Sequence, residues 1–401
     1  MRKGWQKTAR LGDLFMTAAG GTPLTTKREY YEGGTIPWLN SGEVRQGVVH
    51  SAKTFITELG LRNSNAKIFP KDTVLVALYG ATAAQVGILS IEAATNQAVF
   101  GIYPNSSFLP KFIFYFLLSC HQELSDQAVG SAQPNLSGLK VKDLQVPLAP
   151  LPEQQRIVGL LDEAFGGLAT AQAHASQNLQ NARDLFESHL NAVFTQRGEG
   201  WVEERLSELC DIKHGYAFEG EFFSNQGDYV LLTPGNFYES GGYRDRGEKQ
   251  KYYIGPIPQD FVLTKGDMLV AMTEQAAGLL GSPILVPETD KFLHNQRLGL
   301  VTAKRAVPWL NEFFFHVFNL AAVRQAIHDS ASGTKVRHTS PTKIGAVRAW
   351  FPPVAEQKRI AVQLDDLAAE TQGLTRIYEQ KLMALAALKK SLLHQAFSGE
   401  L

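Results

Sequence analysis

An internal repeat, two long proline-free helical periods and the short β-rich runs around them predict an α+β protein. The expected architecture is two mixed α/β globular domains in pseudo-twofold repeat, joined by two long antiparallel coiled-coil helices. The repeat is clearest where LPEQQRIVGLLDEAF (residues 151–165) meets VAEQKRIAVQLDDLA (residues 354–368). Glu153, Gln154, Arg156, Ile157, Leu161 and Asp162 fall on Glu356, Gln357, Arg359, Ile360, Leu364 and Asp365 at an offset of 203. That offset persists to Ser188, Leu190 and Phe194, which fall on Ser391, Leu393 and Phe397. Upstream it drifts to 193 and 194, where IPWLNSGEV from Ile36 parallels YVLLTPGNF from Tyr229 and FPKDTVLVAL from Phe69 parallels LTKGDMLVAM from Leu263. Asn96-Gln97 recurs as Asn295-Gln296, so the drift places short insertions in loops between shared strands.

In the first half, residues 1–150, the runs Thr73 to Tyr79, Val86 to Ile91 and Ala98 to Tyr103 read as strands punctuated by Gly, Asn and Pro. FLPKFIFYFLLSC from Phe108 reads as one aromatic-rich helix packed on that sheet. Residues 151–197 form the first long helix, because small or apolar residues at 157, 161, 164, 168, 171, 175, 179, 182, 186, 189 and 193 advance by threes and fours. The second half, residues 198–352, repeats the pattern with strands at Met268 to Met272 and Leu298 to Thr302 and one helix in WLNEFFFHVFNLAAVRQAI from Trp309. Residues 353–401 carry the second seam through Ile360, Leu364, Leu367, Leu374, Tyr378, Leu385, Leu388 and Leu392. A helix of this length is a rod of about 60 Å whose apolar stripe needs cover, and the simplest cover is its own copy. Few residues separate Phe194 from Trp201, and the tail and head of the chain would join Phe397 to Trp5 as briefly, which favours an antiparallel pair.

Composition narrows the function. With 401 residues, 44% hydrophobic and 19% charged, the chain is long enough for two or three cores and too apolar for disorder. Lys plus Arg equals Asp plus Glu at 39 each, so any polyanion site must be local. The apolar run Phe112 to Leu118 is far short of the roughly 20 residues that span a bilayer, and MRKGWQKTARLGDLF lacks a signal-peptide core, so a cytoplasmic protein with no membrane partner is expected. Cys120 and Cys210 have no disulfide or zinc spacing. There is no phosphate-cradling P-loop: Gly333-Thr334-Lys335 lacks the upstream glycine. FPPV at Phe351 lacks the flanks of a base-holding Asn-Pro-Pro-aromatic motif, and no G-x-S-x-G or H-E-x-x-H string organises the ten histidines. A non-catalytic chain without catalytic or metal-ligating residues is expected.

GGTP at Gly20 to Pro23, IPWLNSGEV, LPEQQRI, VAEQKRI and the closing LKKSLLHQAFSGEL from Leu388 together resemble the DNA-specificity subunits of type I restriction-modification systems, over essentially the whole chain. The resemblance implies that 1–150 and 198–352 are target-recognition domains, each reading one half of a split, asymmetric double-stranded DNA target. The helices at 151–197 and 353–401 would then space the two readers. It also implies docking of two methyltransferase subunits, which would carry S-adenosylmethionine, and of two restriction/translocase subunits; this chain would hold no cofactor. Two readers on a rigid spacer add their discrimination and fix the phase between half-sites. The alternative from another class is a helical-hairpin protein-interaction scaffold without sequence-specific DNA binding.

Candidate DNA contacts lie on Gly-rich loops, where backbone approaches phosphate and side chains reach base edges. In the first half they are Thr25, Thr26, Lys27, Arg28, Tyr30 and Tyr31 after the Gly20-Gly21 turn, Arg45, and Ser131, Gln133 and Asn135 before the long helix. In the second they are Tyr243, Arg244, Arg246, Lys249 and Lys251, with Lys335, Arg337 and His338 in the equivalent pre-helix loop. Residues shared by readers of different sequences suit structure or phosphate, so Asn96-Gln97 and Asn295-Gln296 are read that way, and unshared Arg45, Arg244 and Arg246 suit sequence readout. Helix capping accounts for Glu153 and Glu356 in a first turn. It accounts less well for the repeated Gln-x-Arg, which makes Glu153, Arg156, Glu356 and Arg359 the candidate methyltransferase-docking residues.

Overall fold

The computed structural model describes residues 7–128, 135–274 and 278–401; Trp5, Ser131 and Gln133 lie outside them. The chain forms two compact units, Met1–Gln177 with Glu379–Leu401, and Asn178–Tyr378.

In the first unit a five-stranded sheet runs in the order Thr17–Ala19, Val99–Ile102, Val74–Ala77, Val86–Leu89, Val48–Val49. Its central strands are apolar at every position because both faces are covered. Val74 and Val76 point to one core with Phe112, Ile113 and Phe116, whereas Leu75 and Ala77 point to another with Leu39, Val44 and Phe69. The second core is closed by a sheet ordered Thr54–Ile56, Ile36–Leu39, Ala93–Thr95, Ile68–Phe69, which contains a parallel pair, Trp38 opposite Ala94.

The second unit repeats this wiring. Its first sheet is Cys210–His214, Leu298–Ala303, Met268–Ala271, Pro283–Leu285, and its second is Phe223–Ser224, Tyr252–Tyr253, Tyr229–Leu231, Phe292–Leu293. The parallel pair recurs as Val230 opposite Phe292. Met268 and Val270 again face one core and Leu269 and Ala271 another. In both halves a short ribbon joins the beginning to the end: Thr8–Arg10 pairs with Gln145–Pro147, and Val202–Arg205 with Arg348–Phe351.

The aromatic segments are core; the first holds one helix as expected, with a further helix after it, whereas the second is split into two. Pro110–Ser119 is followed by His121–Gln127, and Asn311–Asn319 by Ala321–Asp329. The break in the second segment falls at Leu320, whose backbone is extended (φ −61°, ψ 132°). Its side chain packs against the core there, and Asn319 Nδ2 turns back to donate to Phe315 O at 3.2 Å.

The long helices are Leu151–Thr195 and Val354–Ser398. Within the first unit Ile157 and Leu161 share a core with Leu393 and Phe397; within the second, Leu190 and Phe194 share one with Ile360 and Leu364. In each unit, then, the start of one long helix packs with the end of the other. Phe397 sits 5.2 Å from Phe112 and 5.7 Å from Phe116, and its repeat mate Phe194 sits 5.4 Å from Phe313. The seam departs from expectation in places. Leu190 rather than His189 is buried, and Leu374 and Leu388 are exposed while Thr371 is buried. A 3.6-residue turn drifts from a 3.5-residue stripe, and near their ends the helices meet the sheet domains as well as one another. Among the described residues no helix is long and apolar enough to cross a membrane.

Candidate nucleic-acid interface

The shared motifs are the scaffold on which unshared side chains sit. Gly20 and Gly215 mark a backbone crossing: a Cβ on Gly20 would lie 2.1 Å from Thr95 Oγ1 and 2.4 Å from Asn96 O, and one on Gly215 2.3 Å from the Asn295 backbone. Only glycine fits so close an approach. The crossing is closed by Gly21 N–H donating to Thr95 O at 2.8 Å and Tyr216 N–H to His294 O at 2.9 Å. Asn96 Oδ1 accepts from Ala98 N–H at 3.1 Å, and Asn295 Oδ1 from Arg297 N–H at 3.0 Å, the self-turn asparagine makes readily. Gln97 accepts from the Thr22 hydroxyl. The recurring Asn is thus a turn former in both halves. The loop before each long helix is stitched to a strand end, Leu136 N–H to Leu78 O at 2.8 Å and Thr339 N–H to Met272 O at 2.9 Å. Asn135 thereby lies beside Tyr79, and His338 beside Thr273.

In the second unit this arrangement opens a cavity of about 910 Å3 lined by Arg244, Arg246, Lys251, Arg297 and His338. Several exposed guanidinium groups elsewhere hold carboxylates: Arg10 with Asp143, Arg156 with Glu153, Arg348 with Glu203 and Arg359 with Glu356. Among the described residues the four Arg and Lys side chains of the cavity have no carboxylate within 4.0 Å. Arg244 and Lys251 lie instead over the rings of Tyr238 and Phe223, at 5.8 and 5.5 Å. Glu274 also lines the cavity, but it is buried and its Oε2 accepts the N–H groups of Leu279 and Leu280 at 2.9 and 3.1 Å. The exposed Glu239 lines the cavity too, but among the described residues it pairs with none of these four cations within 4.0 Å, and four cations against two carboxylates leave a net positive site for an anion.

The remaining candidates of this half divide. Lys249 and Lys335 are exposed. Tyr243 is half-buried, edge-on to Phe292 at 5.3 Å, and burial pushes its hydroxyl up to about 12, so the ring is packing rather than a stacking platform. Arg337 is spent inside the protein, donating from Nη2 to His328 O at 2.7 Å, and it restrains its loop instead of reaching outward.

The first-half candidates lie on separate segments. Thr25, Lys27 and Arg28 are exposed on the loop after Gly20-Gly21, where Arg28 Nε is 4.0 Å from Glu32 and Lys27 Nζ is 3.2 Å from the Tyr30 hydroxyl. Tyr30 itself is only 5% exposed and belongs to the core, because Gly60 lets a helix pack on its backbone. Arg45 is exposed on the short turn Val44–Gln46, and Asn135 is exposed at its bridge.

At the long-helix starts the repeated Gln has a structural role that periodicity did not reveal. Gln154 is fully buried: Nε2 donates to Ser107 O at 3.0 Å and Ala149 O at 2.8 Å, and Oε1 accepts from Leu109 N–H at 2.8 Å. Gln357 donates to Pro308 O and Pro352 O, both at 2.8 Å. Two turns on, Asp162 accepts from Lys111 at 2.7 Å and from Tyr115, and Asp365 from His316 Nε2 at 2.8 Å. These side chains fasten each long helix to the aromatic helix of its own domain. Arg156 and Arg359 fork onto Glu153 and Glu356, holding both carboxyls below the usual carboxylate range, and remain at the surface. Arg156 Nη2 also donates to Leu401 O at 2.9 Å.

Arg297 and Tyr238 were not among the candidates. The signal for Arg297 was present, since it directly follows a shared Asn-Gln yet is itself unshared. Among the described residues no group of three His, Cys, Asp or Glu could hold a metal ion.

The family model for the type I restriction modification DNA specificity domain matches twice, at residues 2–175 and 198–382. The EcoR124I/EcoR124II specificity subunit of Escherichia coli is 26% identical over 167 residues, 40% of this chain and 41% of that protein. The MjaIX specificity subunit of Methanocaldococcus jannaschii is 26% identical over 236 residues, 53% of each chain. These alignments span about half or less of those relatives, whereas the MjaVIII specificity subunit of the same organism, 20% identical, aligns over 99% of this chain and 93% of its own. Among solved structures, a chain of a type I restriction-modification system superposes with a TM-score of 0.78 at 19% identity, covering 99% of this chain and 98% of that one. The HsdS subunit from Thermoanaerobacter tengcongensis gives 0.58 at 17% identity, covering 99% and 97%. At those identities the structural likeness is one of fold. Two matches of the domain model across most of the chain establish that this protein belongs to the type I restriction-modification DNA specificity family.

Proposed function

We propose that the chain is a non-catalytic, sequence-specific DNA adaptor that reads a bipartite asymmetric target and directs methyltransferase and restriction subunits to it. The observation that carries the reading is the cavity in the second unit, where Arg244, Arg246, Lys251 and Arg297 converge without carboxylate partners. Family membership and the repeated domain support two readers, and the differing side chains on a shared scaffold support unequal half-sites. Lys249, Lys335 and His338 in the second half, and Thr25, Lys27, Arg28, Arg45 and Asn135 in the first, supply phosphate or base contacts in this reading. The exposed Glu153–Arg156 and Glu356–Arg359 pairs are offered to the methyltransferase subunits, which bring S-adenosylmethionine. The test is genome-wide mapping of methylated adenine in cells with and without this chain, the partner methyltransferase being present in both. A split motif with a fixed gap that loses methylation with the chain supports the adaptor. An unchanged pattern, together with a purified complex lacking sequence preference, would leave the helical-hairpin scaffold.

A further inference from the structure

Positions 98 and 297 are the same place in the two units. In each, the backbone N–H is held by the asparagine two residues earlier, and the carbonyl accepts from the end of a central strand, Leu78 N–H at 2.8 Å and Met272 N–H at 3.0 Å. The backbone is therefore pinned by identical bonds on both sides, while the side chain differs completely. Ala98 is buried and small; Arg297 is exposed and lines the basic cavity. A rigid backbone carrying a freely exchangeable side chain is how a fold varies what it reads without altering how it folds.

Arg244 and Arg246 sit differently. Both lie on the loop between Asn236 and Gln250, Arg244 over Tyr238 and Arg246 packed against Gly235. Of the cavity's cations, Arg297 alone stands on this shared turn, and among the described residues its guanidinium has no protein partner. A planar fork of donors with no internal acceptor matches the O6 and N7 acceptors that guanine presents in the major groove.

Resting on the DNA-reading function above, we infer that Arg297 is a specificity-determining residue that reads a guanine in the half-site bound by the second unit. The position equivalent to it in the first unit, Ala98, offers no donor and reads nothing.

The experiment uses the full chain in complex with its methyltransferase. Binding is measured on duplexes carrying the methylated motif with every single base-pair substitution in the second half-site, at several salt concentrations, for wild type, Arg297→Ala and Arg297→Lys. Arg297→Ala should relax discrimination at one G·C pair by roughly 5- to 150-fold and leave the other positions unchanged. Arg297→Lys, which keeps the charge and loses the fork, should recover only part of it. Uniform weakening across all sequences, with the salt slope reduced by about one and restored by lysine, would make Arg297 a phosphate contact and overturn the inference. Relaxation at an A·T pair, or no change, overturns it too. If the wild-type complex itself shows no sequence preference, the adaptor reading fails first and the inference falls with it.

Discussion

Replacing Gln154 by methionine keeps the length and linearity of the side chain and deletes its hydrogen bonds, so it isolates what the buried amide contributes. Three bonds are lost at Gln154, to Ser107 O, Ala149 O and Leu109 N–H, but only two at Gln357, to Pro308 O and Pro352 O. At about 1 kcal/mol net per bond, Gln154→Met should loosen its helix junction by about 3 kcal/mol and Gln357→Met by about 2 kcal/mol. Amide hydrogen exchange reads this locally. Peptides covering residues 107–119 should exchange roughly 150-fold faster in the first variant, and those covering 308–319 roughly 30-fold faster in the second, at 1.36 kcal/mol per tenfold. The order of the two effects comes from the count of bonds and not from burial, since both side chains are fully buried. Protection within threefold of wild type in both, combined with loss of methyltransferase association, would refute the bracket and make the glutamine a docking residue.

Three further outcomes follow from the same structure. Gly20→Ala should destabilise the first unit by about 1 to 3 kcal/mol, because its Cβ meets Thr95 and Asn96 below 2.5 Å, whereas Gly166→Ala, with nothing within 4 Å and a helical backbone, should stabilise by about 0.5 to 1 kcal/mol; opposite shifts in thermal unfolding check the pair. His294 is buried with its Nε2 donating to Leu298 O, and burial lowers its pKa to about 4 from 6.5. The unfolded chain therefore takes up the proton first, so the second unit should lose stability on the order of 3 kcal/mol as pH falls from about 6.5 to about 4; exchange protection of Leu298–Ala303 that stays flat over that window would contradict it. Arg156→Ala combined with Arg359→Ala should leave the unfolding midpoints unchanged and weaken co-purification with the methyltransferase; an intact complex would remove these residues from the docking surface.

Much of the fold was legible because it is written in local repetition. The 203-residue offset and the threes and fours of the apolar positions declare two long helices wherever the chain folds. The continuous apolar runs at Val74–Ala77 and Met268–Ala271 declare strands covered on both faces. The site was less legible, because a side chain's type does not say which way it faces. Arg337 and Arg244 read alike as exposed basic loop residues, yet one is bonded to His328 O and the other stands in the cavity. Tyr30 and Tyr243 stood among the candidate DNA contacts, yet Tyr30 is buried and Tyr243 packs edge-on against Phe292.

By itself, then, the sequence determined the duplicated α+β architecture, the extent of the helices and the family, since periodicity and repetition are one-dimensional properties. Which residues of each motif are spent internally was decided only by tertiary structure. Gln154 and Gln357 each find one acceptor on a loop far upstream, 47 and 49 residues away. Arg297 meets Arg244, Arg246 and Lys251 only because strands far apart in sequence bring their loops to one rim. Hydrogen bonds and counter-charges are satisfied in space, so whether a cation is free to meet an anion is a property of the folded chain.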